Sequence, residues 1–197
     1  MKSTKEKFRK YLKWFIKGYL RNLYWEIYGR SINNPSLPAI PKSFLFVCKG
    51  NICRSVFAEH IALKIVNDNL KKTRSFYSVG LHVNNPIHPP EGAVLAGKRF
   101  SVDLDDHRSR KISQDLIETY DMVLSMEAWQ LKVLKADYPY LRHKFFLLPL
   151  FDDYSRTSMG YKHYNILDPY GKSSDIYDDC FKRIERCVTK LISSISF

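Results

Sequence analysis

The sequence predicts an α/β fold, a small doubly wound sheet of four parallel strands flanked by helices and preceded by an N-terminal basic amphipathic helix. Three observations predict it. Short apolar runs recur after residue 43, as strands buried on both faces require. Segments with helical spacing of apolar residues separate them, and that alternation implies parallel pairing through right-handed crossovers. The composition, 45% hydrophobic and 26% charged, is that of a globular chain and excludes wholesale disorder. Eight Gly and nine Pro among 197 residues exclude a collagen-like or low-complexity chain. No run of about 20 apolar residues marks a transmembrane helix.

The first element is a helix over residues 4–28. Phe8, Tyr11, Leu12, Phe15, Ile16, Tyr19, Leu20, Leu23 and Ile27 fall on one side at 100° per residue, and Arg9, Lys10, Lys13, Lys17 and Arg21 on the other. Trp14 lies at the border. Pro35, Pro38 and Pro41 then forbid a helix and read as a semi-extended linker, so residues 1–42 form one unit and 43–197 the other. The charge divides in the same place. Residues 1–42 hold 10 Lys/Arg and 2 Asp/Glu, so +8 of the net +12 sits there. Such an element meets an anionic surface, another copy of the chain or its own domain, or stays solvated. The expectation is a helix lying on an anionic membrane, its aromatics at the headgroup boundary and the prolines letting the second unit hang at a variable angle. No nucleic-acid partner is expected.

In the second unit, Phe44-Leu45-Phe46-Val47 is the first strand and residues 54–70 a helix, with Phe57, Ile61, Ile65 and Val66 on its apolar face. A strand at 75–79, a Pro-rich loop and a short helix at 92–99 follow. Residues 121–125 and 145–148 are the third and fourth strands, and an amphipathic helix over 174–194 closes the chain. Four cysteines are too few for a disulfide scaffold. Lys13 and Lys17 interrupt any secretory apolar region, so a cytoplasmic protein is expected, lying peripherally at the inner face of the membrane if its helix binds there.

The chemistry concentrates at the end of the first strand, in Cys48-Lys49-Gly50-Asn51-Ile52-Cys53-Arg54-Ser55. A loop between a parallel strand and a helix N-terminus turns several backbone N–H groups into one concavity, where the helix dipole adds positive potential. Gly50 permits a backbone that a Cβ resists. Arg54 presents a planar, two-pronged guanidinium to the same anion. Surroundings of this kind favour the thiolate of a cysteine placed at their floor, positioned for in-line attack on phosphorus. Phosphoryl transfer to Cys48 is the chemistry these residue types support.

This run resembles the signature loop of the low-molecular-weight protein tyrosine phosphatases. Asp168-Pro169-Tyr170 resembles the family's Asp-Pro-Tyr loop, Ser78-Val79-Gly80 its second strand end, and Asp106-His107-Arg108-Ser109-Arg110 its His-containing segment. The resemblance spans about residues 43–195. It implies phosphotyrosine hydrolysis through a phosphocysteine, with Cys48 as nucleophile, Arg54 holding the phosphoryl oxygens and Asp168 as acid and then base. Lys49, Gly50, Asn51, Ile52, Cys53 and Arg54 would bind phosphate. Ser55, His107 and Glu127 would fix the loop and the arginine from behind, and Tyr170 and Lys49 would wall the substrate slot. Cys53 would capture oxidised Cys48 as a reversible disulfide. No metal or organic cofactor is implied, since the loop itself supplies the electrostatic stabilisation. The implied partners are phosphotyrosine proteins, with a tyrosine autokinase as counterpart.

Departures from the family pattern touch the rim. Lys49 puts a charge where an apolar residue is common, Val56 replaces a proline, and the loop at Val83-Asn84-Asn85-Pro86 lacks an aromatic wall. Arsenate reduction is a competing chemistry, but its thioredoxin-coupled class needs a cysteine in a segment where this chain, between Cys53 and Cys180, has none. A non-catalytic phosphate reader is the other alternative, and it has no use for a nucleophile and an acid together.

Overall fold

The computed structural model describes residues 4–32, 37–66, 72–152 and 160–194. Strands β1 (Ser43–Cys48), β2 (Ser75–Gly80), β3 (Met122–Ser125) and β4 (Phe145–Leu147) form one parallel sheet in the order β2-β1-β3-β4. Side chains alternate along β1, and the alternation sorts them into two cores. Phe44 and Phe46 face α2 (Arg54–Ile65) and α6 (Ser174–Ser194), meeting Phe57, Ile61, Phe181 and Ile184. Phe57 and Phe181 stack with ring centroids 3.9 Å apart. Leu45 and Val47 face the other way, onto Leu131 and Leu134 of α5 (Ala128–Asp137). Helices α3 (Glu91–Arg99) and α4 (Gln114–Thr119) complete the connection from β2 to β3.

The topology chooses the site. From β1 the chain crosses by α2 to β2 on one side, and α5, after β3, covers the opposite face. The order therefore reverses beside β1, and the crevice beyond its carboxyl end is where a doubly wound sheet receives ligands.

Several elements differ from expectation at their ends. Helix α2 stops at Ile65, where Val66 turns extended; the rest of the expected helix, 67–70, lies outside the described residues. Leu148 leaves the fourth strand for a 3₁₀ turn because Pro149 offers no N–H to a ladder. Helices α4 and α5 were not expected. Ser113 Oγ caps α4 by accepting Leu116 N–H at 3.3 Å, and a reciprocal Glu127–Gln130 capping box starts α5.

The N-terminal helix α1 runs Thr4–Ile32, longer than the sequence suggested. Counted at 100° per residue, Arg9 sits beside Ile27 at the edge of the apolar stripe rather than opposite it. That stripe is open to solvent throughout, with Phe8 63% and Phe15 55% exposed. The helix instead touches the sheet unit through Trp25, which is buried against Tyr161 and Tyr164 and which the apolar periodicity did not single out. The expectation that the second unit hangs at a variable angle is thus corrected: α1 has a specific seat on it. Residues 33–36 of the linker lie outside the described residues, and 37–42 are non-helical. No described helix is long and apolar enough to cross a membrane.

Candidate active site

Backbone geometry builds the pocket first. Cys48 ends β1, opposite Gly80 of β2, and the chain turns through 49–53 into α2. Asn51 takes a left-handed φ of 53°, and its N–H donates to Cys48 Sγ, 3.2 Å away. Asn51 tolerates this conformation because its side chain is fully engaged. Its Nδ2 donates to Ser55 Oγ (3.0 Å) and Ser78 Oγ (2.8 Å), while its Oδ1 accepts Arg110 N–H (2.8 Å). Gly80 is required where the two strands' ends converge. A Cβ there would lie 2.9 Å from Asn51 N and 2.7 Å from Val83 Cγ2.

Hydrogen bonds then set each side chain. Ser55 Oγ lies 3.0 Å from Cys48 Sγ, a contact in which either atom can donate, and it donates to the Val79 carbonyl at 3.3 Å. Arg54, 2% exposed, donates through Nη1 to Glu127 Oε1 (2.5 Å) and the Ile166 carbonyl (2.9 Å). Its Nη2 meets Asp168 Oδ2 at 2.8 Å. Burial alone would push the guanidinium down, but Cys48, Asp168 and Glu127 outweigh it and hold Arg54 above its ordinary range. His107 is pushed down to about 4, first by burial and then by Arg110, and is neutral at physiological pH. The Asn51 carbonyl and Oδ1, 3.0 and 3.1 Å from Nε2, are both acceptors and assign the ring proton there. Burial also pushes up the thiols of Cys53, Cys180 and Cys187.

Together Cys48, Arg54 and Asp168 border a cavity of about 370 Å³, within the range of small-ligand clefts. Lys49 and Tyr170, both exposed, stand at its mouth, with Gly50, Ile52 and Cys53 along the loop. Ser55, His107 and Glu127 lie behind it, within hydrogen-bond distance of Cys48, Asn51 and Arg54 respectively. Residues 43–196 match the low molecular weight phosphotyrosine protein phosphatases, a match that covers the whole sheet and every residue just described.

The chain belongs to that family.

Relatives of this phosphatase agree. It is 32% identical over 142 residues to the low molecular weight protein-tyrosine-phosphatase Wzb of Salmonella typhi, covering 72% of this chain and 86% of that one. It is 28% identical over 156 residues to a protein-arginine-phosphatase of Bacillus subtilis, covering 77% and 95%. The crystal structure of the Erwinia amylovora tyrosine phosphatase AmsI superposes with a TM-score of 0.68 at 25% identity, over 80% of this chain and 95% of that one.

Reading residue types along the chain missed part of the phosphatase's support. Glu59 Oε2 accepts Ser78 Oγ–H at 2.5 Å and lies near Arg110 Nη1, so a buried carboxylate anchors the Asn51 network. Its signal was available, since Ser55 and Glu59 are four apart on one face of α2. Glu59, His60 and His107 offer ligand atoms within 4.8 Å of one another, but Glu59 and His107 are held by the loop's hydrogen bonds. Ile87, on the cavity wall, was also missed. Ser109 fixes it by two bonds, accepting Ile87 N–H on Oγ (2.9 Å) and donating its own N–H to the Ile87 carbonyl (2.9 Å).

Proposed function

We propose that this phosphatase hydrolyses phosphotyrosine in proteins through a phosphocysteine at Cys48. The observation that carries the reading is one cavity with a sulfur at its floor, a guanidinium and a carboxylate beside it, and Ile52, Ile87 and Tyr170 as walls for an aryl ring. Attack by Cys48 Sγ forms the S–P bond as the P–O(aryl) bond breaks, and Asp168 delivers its proton to the departing phenolate oxygen. Water then attacks phosphorus, Asp168 takes its proton, and the S–P bond breaks to release phosphate. Arg54 stabilises the equatorial oxygens in both steps, and the N–H groups of the loop do the same. A tyrosine autokinase is the partner class whose product such a site would reverse.

Asp168→Ala tests the acid. The rate should fall by about 10²–10⁴-fold with phenyl phosphate, whose leaving group needs a proton, and far less with an activated nitrophenyl ester. Equal losses on both would make Asp168 a structural residue. Assaying phosphoarginine beside the aryl esters decides the leaving-group class, because an arginine phosphatase is among the relatives.

The outward stripe of α1 supports a peripheral membrane location. Exposed Phe8, Leu12, Phe15, Ile16 and Tyr19 are flanked by exposed Lys10, Lys13 and Lys17, and each cation near an acidic bilayer adds about 1 kcal/mol. The full chain should sediment with vesicles rich in phosphatidylserine and not with phosphatidylcholine alone, and Phe15→Glu should release it. Failure to sediment with acidic vesicles would overturn the membrane reading.

A further inference from the structure

The helix outside the family match ends up joined to the catalytic arginine by a short path. Trp25 is the buried side chain among the described residues of α1, with its ring centroid 4.9 Å from Tyr164 and 6.2 Å from Tyr161. One turn earlier, Arg21 lies 4.1 Å over the Tyr161 ring, and Asn22 Oδ1 accepts Tyr161 N–H at 3.2 Å. Tyr161 passes the constraint on through its carbonyl, which accepts Asn165 Nδ2–H at 2.6 Å. Asn165 bridges to Glu127 and accepts Ala128 N–H at 2.9 Å. Ile166 N–H then donates to the Met126 carbonyl (2.8 Å), and the Ile166 carbonyl accepts Arg54 Nη1–H (2.9 Å). Asp168 follows two residues on.

We propose that α1 is a brace for the active site, with Trp25, Arg21 and Asn22 as positioning residues that hold segment 161–166 and, through it, Glu127 and Arg54. Both acceptors of Arg54 Nη1 belong to the braced structure, Ile166 directly and Glu127 through Asn165. A guanidinium is useful to a phosphoryl group only in one plane, so a small tilt of its two anchors costs rate without unfolding anything. The segment has a second support. Arg183 of α6 donates to the carbonyls of Lys162 (2.7 Å), His163 (2.6 Å) and Asn165 (2.8 Å). Removing α1's contacts therefore loosens one of two sides, and the loss is partial. The inference rests on the phosphatase reading for its kinetic readout, and phosphate binding supplies a readout that does not.

The test uses the full chain, with kcat and KM on an aryl phosphate and the affinity for inorganic phosphate measured by calorimetry. Trp25→Ala should lower kcat/KM on the order of tenfold and weaken phosphate binding, with a thermal transition that stays cooperative. Trp25→Phe, which keeps a ring against Tyr164, should recover most of the loss. In a Glu127→Gln background, where one of the two anchors is already weakened, the same Trp25→Ala change should cost less, because only the Ile166 carbonyl is left for it to disturb. Unchanged kinetics and phosphate affinity in Trp25→Ala would overturn the brace, as would a full additional loss in the Glu127→Gln background. Should Trp25→Ala not fold, the Arg21→Ala/Asn22→Ala double variant decides, because both side chains are exposed and only the path to Tyr161 is cut. If wild type turns over no aryl phosphate, the phosphatase reading fails by itself, and the phosphate affinities still judge the brace.

Discussion

Cys48→Ser should leave a folded protein with less than about one-hundredth of wild-type aryl-phosphate turnover, because the nucleophile is the first requirement of the two-step mechanism. The substitution is close to isosteric at a site 3% exposed, so packing against β2 and α2 survives. What changes is the charge the loop can hold. Asn51 N–H at 3.2 Å and Ser55 Oγ at 3.0 Å are placed to stabilise negative charge on sulfur, whereas a serine hydroxyl stays protonated at neutral pH in the same spot. Inorganic phosphate should still bind to the variant, which separates lost chemistry from a lost site. Turnover above the stated fraction would remove Cys48 from the nucleophile role.

Arg54→Lys should be nearly as severe, lowering kcat/KM by about a hundredfold or more. The guanidinium spans three acceptors at once: Glu127 Oε1, the Ile166 carbonyl and Asp168 Oδ2. An ammonium keeps the charge, so buried Glu127 retains a cation and the fold survives. It cannot offer two parallel N–H groups to phosphoryl oxygens while holding Glu127 behind it. Melting temperature and phosphate affinity measured together check this. An unfolded variant would mean that the Glu127 pair is mainly structural, and near-normal turnover would mean that a point charge suffices.

The sheet was legible because its strands are apolar on both faces, and helices interrupt them at regular intervals. Helix α6 was read to its ends, 174 and 194, since its buried stripe of Phe181, Ile184, Val188 and Leu191 repeats at helical spacing. Helix α4 was not, because six residues hold less than two turns of pattern. In the site, the contiguous loop 48–55 announced its chemistry, with a cysteine and an arginine at fixed offsets. The freedom expected of Gly50 is not used: the left-handed residue is Asn51, and a Cβ on Gly50 would meet only Ile52, at 3.6 Å. The partners of that loop did not announce theirs. Ile166 and Asn165 act through a carbonyl and an amide contributed by a distant segment, and no spacing rule links them to Cys48. For α1 the periodicity was informative about the wrong face. It located the stripe that solvent sees, while Trp25, which makes the contact, stands outside it.

The ion pair between Arg54 and Asp168 has a consequence for which anions can enter. Arg54 Nη2 holds a carboxylate of its own chain, Asp168, at 2.8 Å. A tethered competitor acts at an effective concentration on the order of millimolar or above. An incoming anion must therefore exceed a threshold set by the protein's own side chain before it gains the guanidinium. A phosphate dianion, with twice the charge and three oxygens for the loop's N–H groups, is expected to clear that threshold. Chloride or acetate should compete with it weakly, which inhibition of aryl-phosphate turnover by each anion measures. The pairing should therefore favour anions of higher charge, and Asp168, once released from Arg54, must take up a proton before it can give one to the leaving group.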